Sequence, residues 1–202
     1  MKKELIIVGA SDFGKEIGAW LPGVLGVDHF EFKGFLDDNI ACSDFGAIKG
    51  FLPQEKHVFV CAINHPKSRE GVIHQLRQKG AIFINLIHSS AVICSDLLPD
   101  NALIVAPYVF ISRNVKLGVG VVLNIASSIG HDAVLDDFVT TCPHGVVSGF
   151  SKLGKRVFMG SHACVIPHKT VGDDAIIGAG SAVMRNVPPA TTVVGVPAKR
   201  LI

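Results

Sequence analysis

The sequence predicts two joined regions, a small α/β unit of parallel-sheet type followed by a β-helix made of six-residue repeats. Three observations predict it. Counting in sixes from Val105 gives Ile111, Leu117, Leu123, Ile129, Leu135, Thr141, Val147, Leu153, Met159, Val165, Val171, Ile177 and Val183, apolar throughout except for Thr141. The residue four places after each is small or β-branched, as at Val109, Val115, Ser127, Ala133, Gly145, Val157 and Ala175, with Lys169 as the exception. Neither a helix nor an ordinary strand has that period, whereas a β-helix places one large inward side chain and one small corner residue in each hexad. The third observation is the different grammar before the hexads, where short apolar runs alternate with helical patterns.

Taken in order, Leu5 to Val8 reads as a buried strand and Gly9-Ala10-Ser11-Asp12-Phe13-Gly14 as a tight turn, with Ser11 or Asp12 placed to cap the helix that follows. That helix carries Phe13, Ile17, Trp20 and Leu21 on one face. A second strand runs to Phe35-Leu36 and ends at Asp37-Asp38; a third, His57 to Ile63, ends at Asn64. Pro66 opens a second helix that runs through Gln78, Lys79-Gly80 stops it, and Ile82 to Ile87 is expected as a further strand. The join to the hexads falls around His88 to Asp100.

Three flat faces of six residues close a coil of eighteen. Residues eighteen apart are then stacked neighbours about 4.8 Å from each other. The Val/Ile/Leu ladder itself is packed core and carries no chemistry.

The 202 residues suffice for a real core, and a net charge of +2 without basic runs gives no footprint for nucleic acid or a membrane surface. Five cysteines without CxxC spacing point away from a disulfide framework or a zinc site and toward buried, inert thiols in a reducing compartment. The apolar run after Met1-Lys2-Lys3 is too brief for a signal peptide or a membrane span, so the expected location is the cytoplasm.

In parallel sheets, ligands bind beyond the carboxyl ends of the strands, where Gly9, Asp37, Asp38 and Asn64 fall. Gly9 and Gly14 would let backbone approach a pyrophosphate at a helix N-terminus, although an ordinary βα turn explains them equally. Among the coils, His131 is expected on a flat face pointing outward, with Asp132 beside it to hold the imidazole. Gly149 lies eighteen residues on, leaving a gap for a thioester carbonyl and a backbone N–H as oxyanion donor. His144 and His162 also stack, but their column offers only Ala126 and Gly180 as further neighbours, so no metal is expected. Lys199-Arg200 could form a positive rim for phosphate.

Five motifs in order carry a resemblance. They are Ile-Val-Gly-Ala-Ser-x-x-Gly at 7–14, Gly-Phe-Leu-Asp-Asp at 34–38, the hexads, Leu-Asn-x-x-Ser-Ser-x-x-His-Asp at 123–132, and Gly-Val-Pro-Ala-Lys at 195–199. Together they resemble the bacterial hexapeptide-repeat sugar acyltransferases, which include nucleotide-4-amino-sugar N-acetyltransferases and sialic acid O-acetyltransferases. The resemblance implies a Rossmann-like domain at 1–88 binding the sugar nucleotide, and a left-handed parallel β-helix at 89–202 binding acetyl-CoA between the prisms of a homotrimer. It implies His131 as catalytic base, Asp132 as its orienting partner and Gly149 as the N–H facing the thioester. Asn124, His144, Gly149 and Lys199 are then the candidates for the cofactor side, and Gly9, Ser11, Asp37, Asp38 and Asn64 for the acceptor. Two departures stand out: Asp12-Phe13 replaces Gly-His or Gly-Gly in the first turn, and Thr140 replaces a second histidine, with His144 as its nearest substitute.

The reaction expected on this basis is acetyl transfer from acetyl-CoA to the amino group of a nucleotide-linked 4-amino sugar, without a covalent enzyme intermediate. Cys142 and Cys164 are accordingly structural. The alternatives are O-acetylation of a sialic-acid hydroxyl, which needs the same base, and a non-catalytic trimeric ligand-binding scaffold, which would have no use for the His131-Asp132 pair.

Overall fold

The computed structural model describes residues 2–201. Strand β1 (Lys3–Val8) is the centre of a three-stranded parallel sheet, flanked by β2 (Phe30–Leu36) and β3 (His57–Cys61). Helix α1 (Asp12–Trp20) follows β1 and buries Ile17 against the sheet. Helix α2 (Pro66–Arg77) follows β3 and buries Ile73 and Leu76, with proline in its first turn and the His65 ring accepting from the Ser68 N–H. Ser11 occupies the N-cap of α1, but its side chain makes no capping bond.

The hexads wind into a parallel β-helix of about six turns. Two-residue strands recur on three faces, in the register that an eighteen-residue coil requires. On face A, Phe110, Ser128, Val146, Cys164 and Ala182 are successive partners. On face B the partners are Lys116, Val134, Lys152 and Thr170. On face C they are Leu86, Ile104, Val122, Thr140, Phe158 and Ile176. The partner residue one place later on every rung points inward, and Ile111, Ile129, Leu135, Val147, Leu153, Met159, Val165 and Ile177 form one continuous buried cluster. Each such side chain contributes about 1.5–3 kcal/mol. Thr141 is fully buried and donates to Ser127 Oγ at 2.9 Å, so the one polar step in the ladder is paired.

The turns between faces hold every sixth residue at positive φ, from Ala102 (55°) through Asp132 (58°), His144 (60°) and Phe150 (59°) to Gly180 (65°). Left-handed backbone disfavours residues with a Cβ. Here the coil closes only if the corner turns sharply, and the stacked ladders above and below hold it there.

Three expectations are corrected. Ile82 to Ile87 is not a strand of the α/β sheet: Phe83 makes a single bridge to Phe59, and Leu86–Ile87 is already the first rung of face C, pairing with Ile104–Val105. The thiols are not uniformly buried, since Cys42 and Cys94 are exposed and only Cys61 is fully enclosed, where burial pushes its pKa up to about 12. His131 lies in a corner turn between Ile129 and Val134, not on a flat face, because each strand is only two residues long.

The α/β unit seats on face C. Leu5, Ile7, Ile17, Val58 and Val60 form one buried cluster with Ile104 and Val122, which removes those rungs of the face from solvent and leaves Ile176 exposed. Arg69 of α2, 0 % exposed, reaches to the corner between faces B and C. Its guanidinium donates to the carbonyls of Gly120 and Phe138, each at 2.8 Å, to Thr140 Oγ1 at 2.9 Å, and back to Ile63 O and Asn64 O. Among the described residues no carboxylate joins this set; burial lowers the Arg69 pKa to about 10, which leaves it charged at neutral pH. Arg156 adds a second tie, gripping Asp174 with two nitrogens and reaching Glu70 of α2 at 3.2 Å.

Candidate active site

Faces A and B meet in an edge whose corner residues stack eighteen apart: Ser95-Asp96, Arg113-Asn114, His131-Asp132, Gly149-Phe150 and Pro167-His168. His131 Nδ1 lies 2.9 Å from Asp132 Oδ2. Ionised Asp132 can only accept, so Nδ1 carries the proton and Nε2 keeps a free lone pair. Asp132 also accepts from Asn114 Nδ2 at 3.2 Å and faces the Arg113 guanidinium at 3.8 Å. Its hydrogen bond to His131, then that to Asn114, holds its pKa below the ordinary carboxylate value.

The free nitrogen points along the edge toward Gly149. A methyl group built on Gly149 would stand 2.8 Å from His131 Nε2 and 2.9 Å from Cε1, so only glycine leaves room for the imidazole. Among the described residues the Gly149 N–H donates to no protein acceptor. At the same corner position elsewhere, Val119 N–H and Lys155 N–H are satisfied by Asp137 and Asp173, eighteen residues on. Gly149 has Pro167 there, which brings no such acceptor. The edge thus combines a base with its proton-bearing side fixed, an exposed lone pair and a free N–H beside it, a constellation suited to acyl transfer.

Phe150 sets its ring at 89° to His131 with centroids 5.1 Å apart, and stacks on His168 at 4.8 Å. Sequence reasoning missed Asn114 and Phe150 as neighbours of the pair, although stepping eighteen residues either way from Asp132 reaches both. Arg69 carried no signal, because an arginine on a polar-faced helix reads as solvated.

The structure brings His131, Asp132 and Gly149 together and puts the other candidates elsewhere. Asn124 is nearly buried where face C turns toward face A, and His144 stands exposed on the edge between those faces, stacked on His162 at 4.7 Å. Thr140, the residue at the second-histidine position, is fully buried and bonded to Arg69 and to Asn64 O. Lys199 is exposed in a strand closing the last coil.

The acceptor candidates gather at the carboxyl ends of β1, β2 and β3. Gly9 (φ 104°) packs so close to Ala62 O that a methyl group would stand 2.8 Å away. Asp37 accepts from Ala10 N–H at 2.6 Å and from Asn39 N–H at 2.8 Å, and Asp38 accepts from Ile48 N–H at 3.0 Å. Ser11 is exposed with its hydroxyl unengaged at the start of α1. Asn64 Oδ1 is buried without a hydrogen-bond partner. Among the described residues no group of three or more His, Cys, Asp or Glu is placed to hold a metal ion, and no helix is long and apolar enough to cross a membrane.

No family model matches the chain. GDP-perosamine N-acetyltransferase of Escherichia coli O157:H7 is 30% identical over 155 residues, covering 74% of this chain and 70% of that protein. Of solved structures, PerB from Caulobacter crescentus in complex with CoA and GDP-perosamine superposes with a TM-score of 0.88 at 25% identity, over 98% of this chain and 97% of that one. The acetyltransferase domain of PglB from Neisseria gonorrhoeae FA1090 gives a TM-score of 0.89 at 24% identity, over 99% of this chain and 100% of that one. By its repeats, its base-bearing edge and these relatives, the chain belongs to the bacterial hexapeptide-repeat sugar N-acetyltransferases.

Proposed function

We propose that this protein transfers the acetyl group of acetyl-CoA to the amino group of a nucleotide-linked 4-amino sugar, the reaction class of its GDP-perosamine-acetylating relative. The observation that carries the reading is His131, tethered at Nδ1 by Asp132, with Nε2 lying over Gly149 and its free N–H. The neutral amine attacks the thioester carbonyl carbon, and the developing oxyanion takes the Gly149 N–H. His131 Nε2 accepts the amine proton; collapse breaks the C–S bond, and the imidazolium returns the proton to the departing CoA thiolate. Asp132, ionised below the usual carboxylate range, steadies the imidazolium between the two transfers.

The reading includes a division of labour and an assembly. The α/β unit before the first rung at Leu86, taken as Rossmann-like from the family resemblance, holds the sugar nucleotide through Gly9, Ser11, Asp37, Asp38 and Asn64. The coil that begins at Leu86, taken as left-handed from the family resemblance, holds acetyl-CoA with Asn124, His144, Gly149 and Lys199 contributing. The α/β unit packs on the early rungs of face C, whereas His131 sits on the opposite edge, so one chain's acceptor crevice cannot serve its own base. A homotrimer resolves this by presenting one protomer's crevice to its neighbour's edge. Uncovered apolar positions on face A, namely Val92 (55 % exposed), Phe110 (42 %) and Val146 (38 %), support face A as the contact. Such an enzyme acts in the cytoplasm, where acetyl-CoA and sugar nucleotides are found.

The test is thiol release from acetyl-CoA against UDP-, GDP-, dTDP- and CMP-linked amino sugars beside free sialic acid. Turnover with one of the nucleotide amino sugars is expected. Turnover with sialic acid alone would move the acceptor to a hydroxyl, and no turnover with any of them would overturn the reading. Light scattering is expected to give three times the chain mass, and a monomer at micromolar concentration would remove the shared site.

A further inference from the structure

Between Leu36 at the end of β2 and His57 at the start of β3 the chain runs without helix or strand, and this long connection carries both acceptor carboxylates. Asp37 spends one oxygen on the Ala10 N–H and the other on the Asn39 N–H. Asp38 is exposed and spends only Oδ1, on the Ile48 N–H at 3.0 Å. Its Oδ2 bonds to nothing among the described residues, so Asp38 is the carboxylate that keeps a whole oxygen for a ligand. Ile48 sets the direction in which that oxygen points.

Ile48 is held in turn from two sides. Its side chain is buried in one cluster with Phe59, Ile73 and Leu76, which anchors the connection to the sheet and to α2. Its carbonyl, together with those of Lys49 and Phe51, converges on the Lys79 ammonium at 3.4, 2.6 and 3.1 Å. Three N–H donors meeting three carbonyls use the full hydrogen-bonding capacity of the group. Lys79 is brought there by the way α2 ends: the Ala81 N–H bonds back to Leu76 O at 3.0 Å across Gly80, whose φ of 88° suits glycine. Burial of Ile48 already fixes where the connection lies. Charge-assisted bonds to three carbonyls of one turn add something different, the orientation of its peptide groups.

We propose that Lys79 is a positioning residue for the acceptor site. It clamps the turn at 48–51, and through the Ile48 N–H it aims the Asp38 carboxylate at the sugar nucleotide. The group met there is a donor, a nucleobase N–H or a ribose hydroxyl, because an ionised carboxylate only accepts. The inference rests on the acetyltransferase reading above and on Asp38 as a contact for the acceptor.

A double-mutant cycle tests it. The acceptor is the member of the UDP-, GDP-, dTDP- and CMP-linked amino-sugar panel that the parent turns over fastest. Lys79→Met should raise KM for this acceptor about fivefold, within the range of coupling in one hydrogen-bond network, with kcat and the calorimetric affinity for CoA within about twofold of the parent. Lys79→Arg, which keeps the charge, should recover part of the loss. In the Asp38→Ala background, whose own KM is already raised, Lys79→Met should add less than about twofold, an outcome that a purely structural lysine would not produce. If Lys79→Met does not fold, Lys79→Gln, which keeps an amide donor, takes its place in the same cycle. An unchanged acceptor KM, a full further increase in the Asp38→Ala background, or an equal loss of CoA affinity would overturn the positioning role while leaving the acetyltransferase reading intact. A parent enzyme that turned over none of the amino sugars would instead bring down the reading on which the role depends.

Discussion

Two edges of the same prism carry histidines eighteen residues from a stacking partner, and only one of them is built for chemistry. On the edge between faces A and B, His131 stacks over a glycine and is held by its neighbour Asp132. On the edge between faces C and A, His144 stacks on His162 at 4.7 Å and pairs with no carboxylate among the described residues. The backbone is the same at both, since Asp132 and His144 occupy equivalent left-handed corners. The difference lies in what the column supplies. A base needs one nitrogen fixed and the other free beside an empty volume, whereas a stacked pair of imidazoles offers a flat surface for contact. The third edge, between faces B and C, has neither use, because Arg69 pins the α/β unit there.

The largest expected effect separates the first two edges. His131→Ala should lose about 10²–10⁴-fold in kcat, the range for a positioned general base, with KM values little changed. His144→Ala should leave kcat near the parent value and raise KM for acetyl-CoA by up to about tenfold, equivalent to roughly 1.4 kcal/mol. If His144→Ala removed turnover and His131→Ala did not, the roles of the edges would be reversed.

At the third edge, Arg69→Met should destabilise the chain by about 3–5 kcal/mol, because the carbonyls of Ile63, Asn64, Gly120 and Phe138 lose their buried donor. Denaturant titration reads this directly. A loss below about 1 kcal/mol would mean that water replaces the guanidinium and that the apolar contact with face C does the anchoring.

Gly149→Ala sharpens the comparison within the active edge. The substitution keeps the N–H but drives a methyl group to 2.8 Å from His131 Nε2, so the ring must shift. A misplacement of about 1 Å at the reacting group costs about 10²-fold in kcat. Folding should be unaffected, so an unaltered melting temperature with lost turnover is the expected pair of readings, and full activity would show that the imidazole has another productive position.

The smallest effect lies in the α/β unit and concerns stability alone. His57 is buried among Phe45, Phe51 and Phe59, with its Nδ1 accepting from Gln54 N–H and Glu4 at 3.4 Å from its other nitrogen. Burial lowers its pKa. The folded state therefore favours the neutral ring, and its contribution is present above the ordinary histidine value of about 6.5 and fades as pH falls below it. The urea midpoint should decline between pH 7 and pH 5, and the decline should flatten in His57→Phe; an identical pH profile in the variant would assign the slope to other groups.

The sequence alone determined the repeat, the coil length and the pairing of distant residues, because a side chain's place in a β-helix depends only on its count modulo six and eighteen. That is why His131, Asp132 and Gly149 could be grouped before any coordinates, and why Asn114 and Phe150 were within reach of the same arithmetic. Counting fails where the chain leaves the period. Only the tertiary structure decided that Leu86–Ile87 belongs to the coil, that His131 turns a corner, that Asp37 and Asp38 bind their own loops, and that Arg69 is a buried tie. The last of these depends on which face the α/β unit covers. That choice is made by apolar surface on Ile104 and Val122 and by carbonyls at a corner, groups whose availability no local pattern in the chain records.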